Sequence, residues 1–240
     1  MKFLREIALI FWLYVEESRS ALGYFLLSAV ALPAGMLLFT TGVAEGKPSI
    51  RLLAGSMVFA LSMLSVVGLG FTLLEDRFRG RLKLIITSPV SPRSYLLGVF
   101  LFALCQGLLS AALMLLFAAV LHLRPHLAWS LPLIAVVSTI PLAAIALMSA
   151  RYAHNIQQGA LLNDLVGTGA VLVCPVFYSV EVLPAPLRYI SRVLPPTYAA
   201  DAFWKVLSDR PGIGFDLLVL GLMSVAVLLW GSHLLPWRDE

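Results

Sequence analysis

Charged side chains are scarce in this sequence. They make up 12% of its 240 residues, against 60% hydrophobic ones. Ordinary soluble domains carry roughly twice that charged fraction. A soluble core of this size would not need so many apolar residues, and with a mean hydropathy of +0.93 the expected solvent is lipid. Basic residues are scattered rather than gathered in a stripe. The net charge of +4 therefore suits anionic headgroups, not nucleic acid. Cysteine is nearly absent too. Cys105 and Cys174 both fall in apolar stretches and read as buried thiols, so no disulfide framework follows. No Ser/His/Asp order, zinc-protease motif or paired-carboxylate constellation is convincing enough for an enzyme. No fixed-period repeat and no low-complexity tract is visible. The apolar run Ile7 to Val15 is followed by Glu16, Glu17 and Arg19 instead of a small-residue cleavage site, so it does not read as a signal peptide.

Long apolar runs are what the sequence has in abundance. Six of them lie at about Ala21–Ala44, Leu52–Leu74, Ser94–Leu121, Leu127–Ala150, Gly159–Ser179 and Leu217–Leu235. Each approaches the ~20 residues that a tilted helix needs to cross a bilayer. They are continuous, not alternating, which excludes a closed β-barrel. The expected fold is all-α: a polytopic membrane protein with six transmembrane helices, kinked at Pro33 and broken at Pro132 and Pro141. Residues 1–20 differ. Their apolar run is too short to span and is flanked by Lys2, Arg5, Glu6, Glu16, Glu17 and Arg19. An interfacial helix is expected, with Trp12 and Tyr14 at headgroup depth.

Between Val180 and Phe215 the chain is too polar to span and too apolar to be a free loop. Pro184, Pro186, Pro195, Pro196 and Pro211 break it into short helices, which would dip into the outer leaflet and pack on the spans. An even number of spans puts both termini on one side. With both in the cytosol, ten of the 17 Lys and Arg face inward and seven outward. The dense group then lies in a short inner loop, as the positive-inside rule favours.

That group is the densest ionic cluster of the chain: Glu75, Asp76, Arg77, Arg79, Arg81 and Lys83, between the second and third spans. Leu74, Phe78, Leu82 and Ile85 recur there at helical spacing. Gly80 interrupts the helix, and Ser88-Pro89 with Ser91-Pro92 ends it. An amphipathic helix of this kind would lie on the membrane surface or dock on a soluble domain. A solvated basic loop that only sets topology is the plainer alternative.

Other candidates carry less. Gly42 to Ser49 superficially resembles a phosphate-binding loop, but three residues separate its glycines and Pro48 follows Lys47 where Ser or Thr must stand. His122 and His126 are four apart with Pro125 between them. No carboxylate or Cys accompanies them, so they read as interfacial residues and not a metal pair. His154, Asn155, Gln157 and Gln158 form a polar hinge before the fifth span. Asp164 is ionisable and about one turn inside that span. With Asn163 and Tyr178 it reads as part of a translocation path, or else as a snorkelling or internally bonded side chain. Gly167-Thr168-Gly169-Ala170 would let helices approach closely. Glu181 and Asp201 read as caps or as partners of Arg188 or Arg192.

Two stretches resemble a known family. The first is Glu75-Asp76-Arg77 leading to Arg79-Gly80, Ser88-Pro89-Val90-Ser91 and a Tyr95-Leu96-Leu97-Gly98 entry into the third span. The second runs from Leu183 to Trp204, before the last span. With the six-span layout and the N-terminal helix, they resemble ABC-2-type permeases over essentially the whole chain. These are the membrane-spanning subunits of ATP-binding-cassette exporters. The resemblance implies one transmembrane domain, 1–240, with an interfacial helix at 1–20, a cytosolic coupling loop at 75–93 and an outer re-entrant segment at 181–207. It implies a pair of permease subunits, identical or related, above two copies of a separate ATPase. ATP and Mg would sit on that ATPase, and this chain would hold no cofactor. The location implied is the inner cell membrane, multi-pass, with lipid around it and no nucleic acid. Glu75, Asp76, Arg77, Phe78, Arg79 and Gly80 would couple to the ATPase. Glu181, Pro184, Pro195, Tyr198 and Asp201 would belong to the outer re-entrant segment.

Two alternatives do without an ATPase. A secondary transporter would centre on Asp164, but needs midplane ionisable residues and often an inverted repeat. A membrane assembly protein would not need so dense a loop. The apolar and aromatic outer segment suits an amphipathic, lipid-like or drug-like cargo better than a long polysaccharide.

Overall fold

The computed structural model describes residues 2–20, 22–43, 49–88, 90–178 and 180–231. Sequence features at Ala21, Lys47, Pro48, Pro89, Ser179 and Arg238, and the end of the expected sixth span, lie outside them. The described chain is all-helical, with no strand. Helix α1 (Lys2–Ser20) is followed by α2 (Leu22–Leu26) and α3 (Leu32–Val43), joined by a π-helical turn at Leu27–Ala31. Next, α4 (Ile50–Ser62) and α5 (Leu69–Phe78) form one continuous helix through a π turn at Met63–Gly68, and α6 (Arg81–Thr87) follows. Then come α7 (Pro92–Val120), α8 (Ser130–Tyr152) and α9 (Ile156–Val173). A 3-10 turn at Val180–Val182 leads to α10 (Ala185–Ser191), α11 (Pro195–Leu207) and α12 (Ile213–Gly231).

The helix starts follow from their caps. Ser49 accepts the Leu52 amide at 3.2 Å, Ser91 that of Ser94 at 3.1 Å, and Asn155 that of Gln158 at 2.7 Å. Pro92 and Pro195 stand where a helix needs no N–H donor. Among the described residues, three helices are long and apolar enough to cross a membrane: Ile50–Phe78, Arg93–Val120 and Ser130–Tyr152. Ala29–Gly42 and Ile213–Ala226 are shorter apolar helices. Ile50–Phe78 is the axis of the molecule, 78% buried over its apolar stretch against 39% for Arg93–Val120. Leu53, Met57 and Leu61 on its first half pack with Ile134, Phe203 and Leu207. Leu73 and Leu74 on its last half pack with Tyr14, Tyr95, Ala143 and Ala146.

Helix α1 lies along α7, and Ile10 and Tyr14 are buried in that contact. Gly98 makes the approach possible, since a Cβ there would sit 2.6 Å from Ile10 Cγ2. Tyr14 is thus packed inside the protein. Its i−4 neighbour Ile10 and the stripe they share face α7, whereas Trp12 points outward.

The span prolines do not break their helices. Helix α8 runs on through Pro132, in its first turn, and through Pro141. A proline cannot donate to the carbonyl four residues back, so Pro33 releases Ala29 O and Pro141 releases Val137 O. A neighbouring helix takes up the first. Ser110 Oγ on α7 donates to Ala29 O at 2.8 Å, whereas Ser224 Oγ on α12 donates to Leu220 O of its own helix at 2.7 Å and only approaches Val137 O, at 3.3 Å. The Pro33 defect becomes an interhelical hydrogen bond, the kind of contact that holds apolar helices together where burial from water does not drive association.

A double-mutant cycle tests this pairing. Ser110→Ala is expected to cost about 1 kcal/mol in the parent chain and clearly less in a Pro33→Ala background, where the Ala29 carbonyl regains an intrahelical donor. Equal costs in both backgrounds, read from unfolding in detergent, would contradict it.

Candidate functional site

At the Phe78 end of the central helix, a buried carboxylate gathers three other elements. Asp76 is 1% exposed. Tyr14 from α1 and Tyr95 from α7 both donate to its Oδ2, the latter at 2.7 Å. Arg81 from α6 lies 3.3 Å from its Oδ1 and continues to Glu17 on α1 through two bonds of 2.5 and 2.7 Å. Burial, and then the Asp76 charge, push the Tyr14 hydroxyl well above its ordinary range, so it stays a donor. The hydrogen bonds that Arg81 donates to Glu17 raise it further, so it stays a cation. An ion this deep is tolerable only when it is paired and hydrogen-bonded: the two hydroxyls serve Oδ2, while Oδ1 accepts no hydrogen bond and is countered by the Arg81 charge alone.

Two further clamps flank this hub. Glu6 accepts from Ser94 Oγ at 2.7 Å and from the Ser91 amide at 3.2 Å, tying α1 to the start of α7. Those bonds, the Ser94 one first, hold the Glu6 carboxyl below its ordinary value. Arg77 Nη1 donates to the carbonyls of Ala150, Arg151 and Ala153, at 2.7, 2.7 and 3.2 Å. It thereby serves the carbonyls at the C-terminal end of α8, where a cation is favoured.

The charged loop therefore divides in two. Asp76 and Arg77 face inward, so Asp76 has no surface with which to touch a soluble partner. Glu75 pairs with Arg79 one turn on, at 2.7 Å. Gly80 has φ +80°, a left-handed conformation that turns the chain from α5 into α6. Phe78, Arg79, Lys83 and Leu84 are left exposed, Leu84 at 72%. The Arg77 guanidinium lies 5.0 Å from the Phe78 ring.

The expected path residues are not brought together. Asn163 is fully buried, accepts from Ser149 Oγ and sits against Gly70, where any Cβ would collide with it. It packs α9 against α8 and α5 there. Asp164, its neighbour, is exposed on α9 beside the exposed Leu161 and Leu165. Tyr178 donates to Leu172 O at 3.0 Å, and its own carbonyl accepts from Arg51 at 2.9 Å.

At the Ile50 end the short helices form a second network. Asp201 pairs with Arg51 at 3.6 Å, not with Arg188 or Arg192 as the sequence suggests. Trp204 lies between two guanidiniums, Arg51 at 4.8 Å and Arg210 at 4.4 Å. Lys205 meets the buried Asp216 at 2.5 Å. Pro184 and Pro195 start α10 and α11, Tyr198 donates to Arg192 O at 2.7 Å, and the Glu181 side chain is exposed while its carbonyl accepts from Arg188. His126 is 3.9 Å from Asp209, and His122 takes a left-handed φ of 54° where α7 ends. No metal-ligating cluster occurs among the described residues. Cys174 is buried, but Cys105 is exposed on α7, contrary to the expectation of two buried thiols.

Sequence reasoning missed the hydroxyl partners of Asp76. Tyr14 and Tyr95 lie 62 and 19 positions away, and nothing in local spacing joins them. Polar side chains interrupting apolar faces of α1 and α7 were the only available signal.

With the geometry in place, comparison with known proteins gives a consistent result. The family model for the ABC-2 type transporter matches residues 9–207, from within α1 to the end of α11. The chain belongs to the ABC-2 type transporter family. It is a membrane protein whose domain is a permease component, not an ATPase. No curated protein matches the chain.

Asp76→Ala is expected to lower unfolding stability by about 3 kcal/mol, because it strands two buried hydroxyls and one side of Arg81. Arg79→Ala, in an exposed pair, costs ~0.5 kcal/mol or less. Similar losses in the two variants would contradict the hub. For Glu6, whose folded pKa is depressed, the stabilisation is complete above its ordinary value of 4.5 and disappears as pH falls through the lowered one. The stability difference between parent and Glu6→Gln should therefore be constant from pH 8 to pH 5 and shrink below. A difference that grows on acidification would contradict the assignment.

Proposed function

We propose that this chain is the membrane permease subunit of an ABC exporter, driven by ATP hydrolysis on a separate ATPase subunit. The observation that carries the reading is the exposed group Phe78, Arg79, Lys83 and Leu84 at the Gly80 turn. It mixes charge with apolar surface and stands on a base fixed by Asp76, Arg77 and Arg81. A docking surface for a moving ATPase needs both contact chemistry and a rigid mount. A loop that merely set topology would need neither a buried carboxylate nor a capped neighbouring helix.

In this reading α3, α9 and α12 complete six spans with Ile50–Phe78, α7 and α8. Both termini and the Gly80 turn face the cytosol, and α1 lies on the inner surface. Residues 181–207 form the re-entrant segment at the outer end. Two permease copies, or this chain and a relative, pair over two ATPase subunits that bind ATP and Mg. ATP-driven closure of the ATPase pair would bias the permease by binding its states unequally. Asp164, exposed on an otherwise apolar face of α9, lines the path, for which an amphipathic, lipid-like or drug-like cargo is the best fit.

Purification of the tagged chain from its native membrane, with identification of co-purifying proteins, tests the reading. A stoichiometric ATPase subunit is expected, and Phe78→Asp or Arg79→Glu should reduce its recovery at least ~tenfold, a loss of about 1.4 kcal/mol. A clean complex without an ATPase, even after crosslinking, sinks the proposal. Orientation is checked with single cysteines at Lys83 and Glu181 in a Cys105→Ser background. A membrane-impermeant maleimide applied to intact cells should label the second and not the first.

A further inference from the structure

Beside the short helices at the Ile50 end is a cavity of about 620 Å³, within the ~300–1,000 Å³ typical of ligand sites. Its wall carries three cations, Arg188, Arg192 and Lys205, and three carboxylates, Glu181, Asp201 and Asp216. The carboxylates are unequal. Lys205 counters Asp216 at 2.5 Å, and Arg51, from behind the wall, counters Asp201 at 3.6 Å. Glu181 is exposed. With Arg51 included, four cations face three carboxylates.

The two arginines differ. Arg188 is fixed in the wall, donating through Nη2 to the carbonyls of Glu181 and Leu183, both at 3.1 Å, and its Nε is buried away from the cavity. The Arg192 guanidinium is exposed and makes no ion pair among the described residues. Guanidinium groups with free donors match phosphate oxygens in shape as well as charge.

The cavity also has an apolar exit. Phe215 forms part of its wall, and Phe215, Leu218, Leu222 and Val225 are all exposed on α12. Their spacing of three, four and three residues puts them on one helix face. Tyr198 and Phe215 stand 6.4 Å apart, where the polar wall meets that stripe. The apolar run of α12 starts at Leu217, directly after the buried Asp216, so the cavity sits at the depth where a headgroup meets acyl chains.

We infer that this cavity binds the phosphate headgroup of an anionic glycerophospholipid, with Arg188 and Arg192 on the phosphate and an acyl chain along the Phe215 face of α12. Basic pockets between transmembrane helices recognise lipid headgroups by this chemistry. Placing the lipid in the outer leaflet rests on the permease topology proposed above. The headgroup chemistry does not.

The test uses the purified chain in detergent, given phosphatidylglycerol or diacylglycerol with the same chains, and counts retained lipid by native mass spectrometry. Phosphatidylglycerol is expected to be retained as one copy, about tenfold more tightly than diacylglycerol, the worth of one charge-assisted contact. Arg192→Gln, which keeps the carbonyl that Tyr198 donates to and removes a side chain with no ion pair among the described residues, should erase that preference. Arg19→Gln, on α1, should leave it intact. Equal retention of the two lipids by the parent chain, or an unchanged preference in Arg192→Gln, overturns the site. Binding is read without ATP or a partner, so the two proposals fail separately. Phosphatidylglycerol retained by a chain that recruits no ATPase counts against the permease reading alone.

Discussion

The arrangement depends on one buried carboxylate. Asp76 sits in the last turns of the central helix with almost no exposure, and an ion so placed must be matched by donors from elsewhere. Tyr14, Tyr95 and Arg81 supply them from three other helices. The cost of leaving Asp76 unpaired thereby becomes the force that holds α1, α6 and α7 in place. Helix α1 cannot lift away without breaking its Tyr14 bond to Asp76 and separating Glu17 from Arg81. That is why an amphipathic helix with Trp12 and Leu13 on its outer face is still an integral part of the fold.

The same helix carries the second network at its other end. Arg51, one residue into Ile50–Phe78, pairs with Asp201 and lies over Trp204. Asp76 and Arg51 are 25 residues apart, about 38 Å along a helix, which exceeds the ~30 Å hydrocarbon thickness. One rod thus joins the mount of the exposed Phe78–Leu84 surface to the short helices at the far end. Its one irregularity is the π turn at Met63–Gly68, a feature often found at functional positions in helices. A displacement at the Gly80 turn has a continuous physical route to α11, through packed helix and not through loops.

Much of this was legible in the sequence, and what was not has a common cause. The N-terminal helix, the Gly80 interruption and the proline-started α10 and α11 follow from local chemistry: apolar spacing, a left-handed glycine, a missing donor. The 75–83 cluster was visible as charge density in a chain nearly without charge. Its internal division was not. Asp76 and Arg77 look like their neighbours in sequence, yet they face inward, because that depends on tyrosines and carbonyls brought close only by folding. The partnership of Ser110 with the carbonyl that Pro33 releases was hidden for the same reason. Asn163 and Asp164 show the limit most plainly, since adjacent residues on one helix point in different directions, one into the packing and the other out of it.

The most direct test of the account is site-specific photocrosslinking from the Gly80 turn. A photoreactive residue in place of Leu84 should capture the ATPase subunit in native membranes, and the yield should fall when Asp76→Ala loosens the mount. The same group in place of Leu187, at the opposite end, should capture no ATPase. Capture from Leu187 and none from Leu84 would contradict the claim that the Asp76-anchored turn is the docking surface.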